Sequence, residues 1–313
     1  STFTSYRRFS FYGSVSSTSI FDMHFKYLKA ESELFHKKKP LAYFKIWNQQ
    51  KSFEGWYGTL NFFSIESFEE GVIQLVEILK KAPSLEKAYR FDNLFPSVRF
   101  FIYSLFNRYS KEGVKSAALL FHPTIEMIEK RYHEGFKFFK LKFKKFERNE
   151  IDLLEKISDL NPQIRVRLDF NQQLNIDWIN TLLLNLPPQL IDYIEEPSEN
   201  FYTYIEKYPH LFAVDESLRK IKNFPLDLPL TYVIKPSLQD QFEDLIFKLK
   251  NKKQRIIISS SFDSPSMIEG LKHLIYKNNL LEDTHGIDTT RYYNLVPSVP
   301  SKFTLSSSDR FRR

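Results

Sequence analysis

The chain has 313 residues, 42% hydrophobic and 27% charged, which bounds it to one large or two smaller globular domains with a real core. It contains no cysteine, so disulfides, thiolate metal sites and a cysteine nucleophile are excluded. Its net charge of +7 permits attraction of nucleic acid or of an acidic small molecule, but the lysines are spread along the chain and no nucleic-acid motif accompanies them.

The opening STFTSYRRFSFYGS has no apolar leader core, and no apolar run nears the roughly 18 residues of a membrane span. An unexported, cytoplasmic protein without membrane contact is therefore expected. The leading Ser is what a tag remnant or a removed Met would leave. The first hundred residues read as hairpin strands (RRFSFYGSV, LAYFKIWNQQ) followed by a helix over 66–82, and 97–113 reads as a further helix. From there short β-rich runs alternate with stretches of helical length. The strand candidates are 115–123, 136–143, 163–171, 189–197, 211–217, 230–237 and 255–261. Between them lie TIEMIEKRYHEG, NEIDLLEKISDL, IDWINTLLLNL, ENFYTYIEKY and QDQFEDLIFKLKNK, of which the first, second and fifth have apolar residues three and four apart, as a helix covering a sheet requires. Strands alternating with helices predict βαβ units and a parallel sheet, and this many in series predicts a (β/α) barrel. The expected organisation is an α+β capping domain over 1–100, with the tail 296–313 a candidate to pack back on it, and a barrel over 101–295.

Charged residues recur at the C-terminal end of each barrel strand. FKLKF supplies Lys140 and Lys142, RLDFN supplies Arg167 and Asp169, YIEEP supplies Glu195, AVDES supplies Asp215, VIKPS supplies Lys235, and IIISSS supplies Ser259 to Ser261. They recur about every 20–27 residues, one strand plus one helix, so a barrel gathers them on the rim where barrel active sites lie. A lone Asp or Lys at a strand end is usually a turn residue, a helix cap or an exposed face; the ordered series is the specific signal. Three carboxylates so placed repel one another unless they hold a cation, and hard oxygen donors favour Mg2+, with Mn2+ as the alternative. A divalent ion flanked by lysines suits removal of a proton alpha to a carboxylate, and a lysine beside other cations is expected to have a lowered pKa.

The ordered set K-x-K, L-D-x-N, E-E-P, D-E-S, I-K-P and I-S-S-S resembles the enolase superfamily, in its muconate-lactonizing subgroup. Pairing a lysine base with Mg2+ is that superfamily's known pattern. VRLDFN, VIKPS, IIISSSFDSPSMIEGL and HGIDT (285–289) most resemble the o-succinylbenzoate synthases of menaquinone biosynthesis, over roughly residues 40 to 295. The resemblance implies a (β/α)7β modified TIM barrel with an N-terminal α+β cap. It implies a carbon-oxygen lyase acting on a small dicarboxylate. The chain is short for the subgroup, which fits a monomer, and no nucleic-acid partner is expected, since only the net charge of +7 favours one. The resemblance makes Lys142 the base, Lys140 and Lys235 further catalytic lysines, and Asp169, Glu195 and Asp215 the metal ligands. Arg167, Ser259, Ser260 and Gly286 would line the substrate pocket. Lys144 stands where the family usually has Gly, and GWYGTLNFFSIES (55–67) departs from the usual cap loop. The alternative within the superfamily is a dipeptide epimerase or N-acylamino acid racemase. Epimerases normally carry D-x-D at the seventh strand, where this chain has SSSFD and Asp263 beyond the serines.

Overall fold

A computed structural model of the protein describes residues 12–18, 23–35, 37–60, 63–109, 113–143, 146–170, 172–174, 177–199 and 201–295. Lys144, part of the 55–67 loop and the tail 296–313 lie outside them. The chain divides into two compact units, residues 1–110 with 261–270 and 290–313, and residues 111–260 with 271–289.

The first unit is built on antiparallel strands β1 (Tyr12–Thr18), β2 (His24–Leu34), β3 (Lys37–Trp47) and β4 (Ser52–Tyr57), in that order. The Asn48 side chain fixes the β3–β4 turn by accepting from the backbone N–H groups of Gln50 and Lys51 at 2.9 and 2.8 Å. Helices α1 (Phe68–Lys81), α2 (Leu85–Tyr89) and α3 (Pro96–Phe106) follow. In α1, Ser67 and Glu70 form a capping box, and Phe68, Val72, Leu75 and Leu79 make the buried stripe. The helix expected over 97–113 ends at Phe106, because Asn107 leaves helical geometry.

β2 was not among the strands that the sequence pattern indicates. Its HFKYLKAESEL is rich in Lys, Ala and Glu, which strands disfavour, and continuous pairing with β3 from His24↔Trp47 to Leu34↔Lys37 overrides that preference. On one face of the sheet Leu28, Ala30, Leu34, Leu41, Tyr43 and Trp56 form a core with Tyr293.

The second unit carries β5 (Lys115–Ser116), β6 (Ala118–Phe121), α4 (Ile125–His133), β7 (Phe138–Lys142), α5 (Arg148–Leu160) and β8 (Arg165–Asp169). It continues with α6 (Asp177–Asn185), β9 (Ile191–Glu195), β10 (Phe212–Val214), α7 (Glu216–Lys220), β11 (Thr231–Ile234), α8 (Phe242–Asn251) and β12 (Arg255–Ile258). α9 (Pro265–Lys277) runs across the division between the units, β13 (Thr284–His285) belongs to the second, and β14 (Tyr293–Leu295) pairs with β2 in the first.

Strands β6 to β12 form one seven-stranded parallel sheet in chain order, curled as a TIM-barrel-like half-barrel. β10 to β12 are buried on both faces apart from Arg255, as a parallel sheet between helices requires. β13 pairs with β5 as a separate two-stranded sheet, while Gly286 bridges to Ser259 just past β12. One connection departs from the expected alternation. The aromatic, helix-poor FYTY between β9 and β10 forms only a 3-10 turn, Phe201–Tyr204, with Phe201 packed on Phe212. Among the described residues no helix is long and apolar enough to cross a membrane.

Candidate active site

Strand register decides which side chains share the concave face of the parallel sheet. Lys142 pairs with Asp169, and Asp169 with Glu195. Glu195 pairs with Ala213, and Ala213 with Thr231. Residues two apart on a strand share a face, so Lys140, Arg167 and Tyr193 line the same side as Lys142, Asp169 and Glu195, and Asp215, two beyond Ala213, and Lys235, two beyond Val233, stand on that side at the ends of β10 and β11. Tyr193, Ala213, Val233 and Ile257 pack together as the apolar floor.

On that floor stands a chain of opposite charges. Lys140 Nζ lies 3.0 Å from Asp169 Oδ2 and 2.7 and 2.5 Å from the two oxygens of Glu195. Lys142 Nζ lies 2.8 Å from Asp169 Oδ2. Lys235 donates to Asp215 Oδ2, and Arg219 contacts Asp215 Oδ1 at 3.3 Å. Asp169, Glu195 and Asp215 are only 3%, 3% and 4% exposed.

Burial and neighbouring charge set the protonation of these groups. Burial alone would lower the Lys140 pKa; Asp169 and Glu195 outweigh it and hold the ammonium well above the ordinary lysine range. Burial would raise Asp169, but Lys140 and Lys142 prevail and hold it well below the usual carboxylate range. Burial likewise opposes Lys235 and Arg219 at Asp215, which is held down to about 2. Glu195 is pushed up to about 7, by burial first and then by Asp169 and Asp215, against the pull of Lys140.

Among the described residues no three His, Cys, Asp or Glu side chains converge as a ready-made metal cage. Here the carboxylates are drawn onto ammonium and guanidinium groups instead. Their chemistry nevertheless fits a hard divalent cation: three buried carboxylates at neighbouring strand ends, close enough that Asp169 and Asp215 raise Glu195.

Arg167 is buried on the same side of the sheet as Lys140 and is held by partners of its own. Its side chain is 1% exposed; Nε donates to Asp192 at 2.7 Å, a terminal nitrogen donates to the Thr284 carbonyl at 2.7 Å, and the guanidinium lies over Tyr193 and Phe138. A bulge explains the partner. Val166 pairs with Ile191 but Arg167 with Tyr193, so Asp192 is the extra residue, and its carboxylate reaches both Arg167 and Arg255.

Ser259, Ser260 and Gly286 meet at the β12–β13 junction. Ser259 Oγ donates to the Gly286 carbonyl at 3.3 Å, Ser260 N–H donates to the same carbonyl at 2.8 Å, and Ser260 Oγ accepts from Thr289 at 2.8 Å. A Cβ on Gly286 would lie 2.6 Å from Ser259 Oγ, so the close approach needs glycine. His285, fully buried, accepts from the Ile258 N–H through Nδ1 at 3.0 Å, which leaves Nε2–H to donate to the Leu280 carbonyl at 2.8 Å.

Two residues at the site escaped the sequence reading. Arg219 is the i+4 partner of Asp215, a spacing visible in DESLR once α7 is known to be helical. Glu196, the second acid of EEP, would point away from Glu195 by strict alternation.

No family model matches the chain, and no curated protein sequence matches it. Solved structures do match. An o-succinylbenzoate synthase from Thermosynechococcus elongatus BP-1, complexed with Mg in its active site, is 16% identical with a TM-score of 0.70, covering 88% of this chain and 95% of that one. A dipeptide epimerase from Enterococcus faecalis V583 is 14% identical with a TM-score of 0.68, covering 90% and 93%. The muconate lactonizing enzyme from Pseudomonas putida is 13% identical with a TM-score of 0.69, covering 87% and 89%. These neighbours are enolase-superfamily enzymes, and the chain shares their fold.

Proposed function

We propose that the protein is a metal-dependent lyase that dehydrates 2-succinyl-6-hydroxy-2,4-cyclohexadiene-1-carboxylate to o-succinylbenzoate, on a (β/α)7β barrel. One observation carries the reading: three buried carboxylates on neighbouring strand ends stand between Lys140 and Lys142 at one side and Lys235 at the other. The motifs VRLDFN, VIKPS and IIISSS favour this dehydration among the superfamily's reactions.

Asp169, Glu195 and Asp215 would hold Mg2+ or Mn2+. The bound ion would take up the carboxylates' charge and supply a positive field for the substrate carboxylate as negative charge builds on it. Lys142, with a side chain 20% exposed, is the more accessible ammonium of β7 and takes the alpha proton in its neutral form. Lys235 stabilises the developing enolate from the other side, and Lys140 holds Glu195 and Asp169 in place. Lys142 then returns its proton to the beta-hydroxyl as the C–O bond breaks, and water leaves. The overall charge of +7 suits a dicarboxylate substrate, and we take the working form as a monomer without nucleic acid.

A second reading is 1,1-proton transfer, as in a dipeptide epimerase or N-acylamino acid racemase. Lysines at both ends of the carboxylate row would serve it equally well. The test is loss of the substrate's ultraviolet absorbance with Mg2+, beside Lys142→Ala and EDTA controls. Rapid loss that vanishes in both controls is expected. No loss with wild-type protein, together with turnover of N-succinyl amino acids or dipeptides, would replace the first reading with the second.

A further inference from the structure

Glu195 and Glu196 are adjacent, yet their carboxylates do different things. Glu195 follows the strand and points into the charged row. Glu196 has φ +34, in the left-handed region that non-glycine residues seldom adopt. This turn carries its side chain over the end of β10. There Oε1 accepts from the backbone N–H groups of both Asp215 and Ser217 at 2.8 Å, and Oε2 accepts from Ser217 Oγ at 3.1 Å and Gln172 Nε2 at 2.5 Å. Glu196 is 3% exposed. Gln172 is itself left-handed, with φ +62, and its N–H donates to the Glu196 carbonyl at 3.1 Å. Two strained residues at adjacent strand ends therefore brace one buried carboxylate, whose backbone partners belong to the Asp215 turn.

We infer that Glu196 is a positioning residue that sets Asp215 relative to Glu195, so that one dipeptide at the end of β9 places two of the three carboxylates. Glu195 is placed by the strand itself. Asp215 lies past the last residue of the three-residue strand β10, where no ladder hydrogen bond holds it, and the Glu196 carboxylate supplies the missing anchor at its N–H. The inference rests on the reading of Asp169, Glu195 and Asp215 as a Mg2+ site, and it concerns a residue that touches neither ion nor substrate.

The test compares wild type, Glu196→Ala and Glu196→Gln in the full chain, with Mg2+ alone as the titrant in calorimetry. Hydrogen exchange at the Asp215 and Ser217 amides is read beside it. Glu196→Ala is expected to expose both amides to exchange, leave the β11 amides protected, and weaken Mg2+ binding at least tenfold, the scale typical for losing a group that orients a metal ligand. Glu196→Gln keeps an oxygen for both N–H groups and is expected to bind Mg2+ within about threefold of wild type. Equal Mg2+ affinity in wild type and Glu196→Ala, with both amides deprotected, would overturn the positioning role alone. If the Ala variant does not fold, a tenfold loss in the Gln variant would overturn it too, since charge and not position would then be at work. Wild-type protein without Mg2+ affinity would instead overturn the metal reading, and the inference with it.

Discussion

Lys140 Nζ lies 2.5 and 2.7 Å from the two carboxylate oxygens of Glu195, and both side chains are sealed from solvent. Removing one member of such a pair strands the other in a poor solvent for charge. Lys140→Met is therefore expected to lower stability by about 3 kcal/mol in urea at pH 8, the low end for breaking a buried pair. Lys142 is more exposed, so water can reach Asp169 when it is truncated. Lys142→Ala should stay within about 1 kcal/mol of wild type while the dehydratase rate falls at least a hundredfold. Equal stability losses in the two variants would show that the two lysines are not divided between support and chemistry.

Arg167 separates two roles by measurement. Its guanidinium is engaged by Asp192 and the Thr284 carbonyl. Arg167→Met should lower stability by about 3 kcal/mol, leaving Asp192 to Arg255, and change KM by less than about threefold. A variant of wild-type stability with a KM raised tenfold or more would return Arg167 to the substrate pocket.

His285 gives a pH dependence of defined sign. Burial, the main cause, holds its pKa down to about 4 from an ordinary 6.5. The unfolded chain takes up this proton below pH 6.5 and the native protein refuses it. The histidine's stabilising share is thus complete above pH 6.5, declines as pH falls toward 4, and is lost below that. About 2.5 pKa units correspond to about 3 kcal/mol. His285→Gln keeps a donor and an acceptor without the titration. The wild-type-minus-variant stability should fall between pH 7 and pH 4; a flat difference over that range would show that the native imidazole takes up its proton as readily as the unfolded chain does.

In the first unit, Gly71 lies against Tyr57. An added Cβ would sit 1.8 Å from Tyr57 Oη and 2.8 Å from Cζ, and the ring cannot easily retreat because it is fully buried with its hydroxyl 2.7 Å from Ser97 Oγ. Gly71→Ala is expected to destabilise by about 3 kcal/mol through overpacking. Combining it with Tyr57→Phe, which removes the worst contact, should recover part of the loss in thermal unfolding. Wild-type stability in the single variant would contradict this packing.

The parallel sheet was legible because the barrel strands are short β-rich runs, those from β7 to β11 ended by a charged residue, and because α4, α5 and α8 show a helical apolar period. The charged row was legible for the same reason, since the alternation and repeat that build a barrel also deliver strand ends to one rim. Lys140, Lys142, Asp169, Glu195, Asp215 and Lys235 could be picked from local pattern alone. β2 could not, because its Lys, Ala and Glu contradict the strand state that pairing with β3 imposes.

Local sequence thus determined the order of the strands in the parallel sheet and the residues at their C-terminal ends. Tertiary structure alone decided whom each charge meets. A bulge at Asp192 turned Arg167 into a buried ion pair, and a left-handed turn at Glu196 sent its carboxylate to the backbone of Asp215. Both depend on backbone departures from regular strand geometry, which periodicity cannot show. They also depend on partners 19 to 25 residues away, whose distance is set by packing rather than by the intervening sequence.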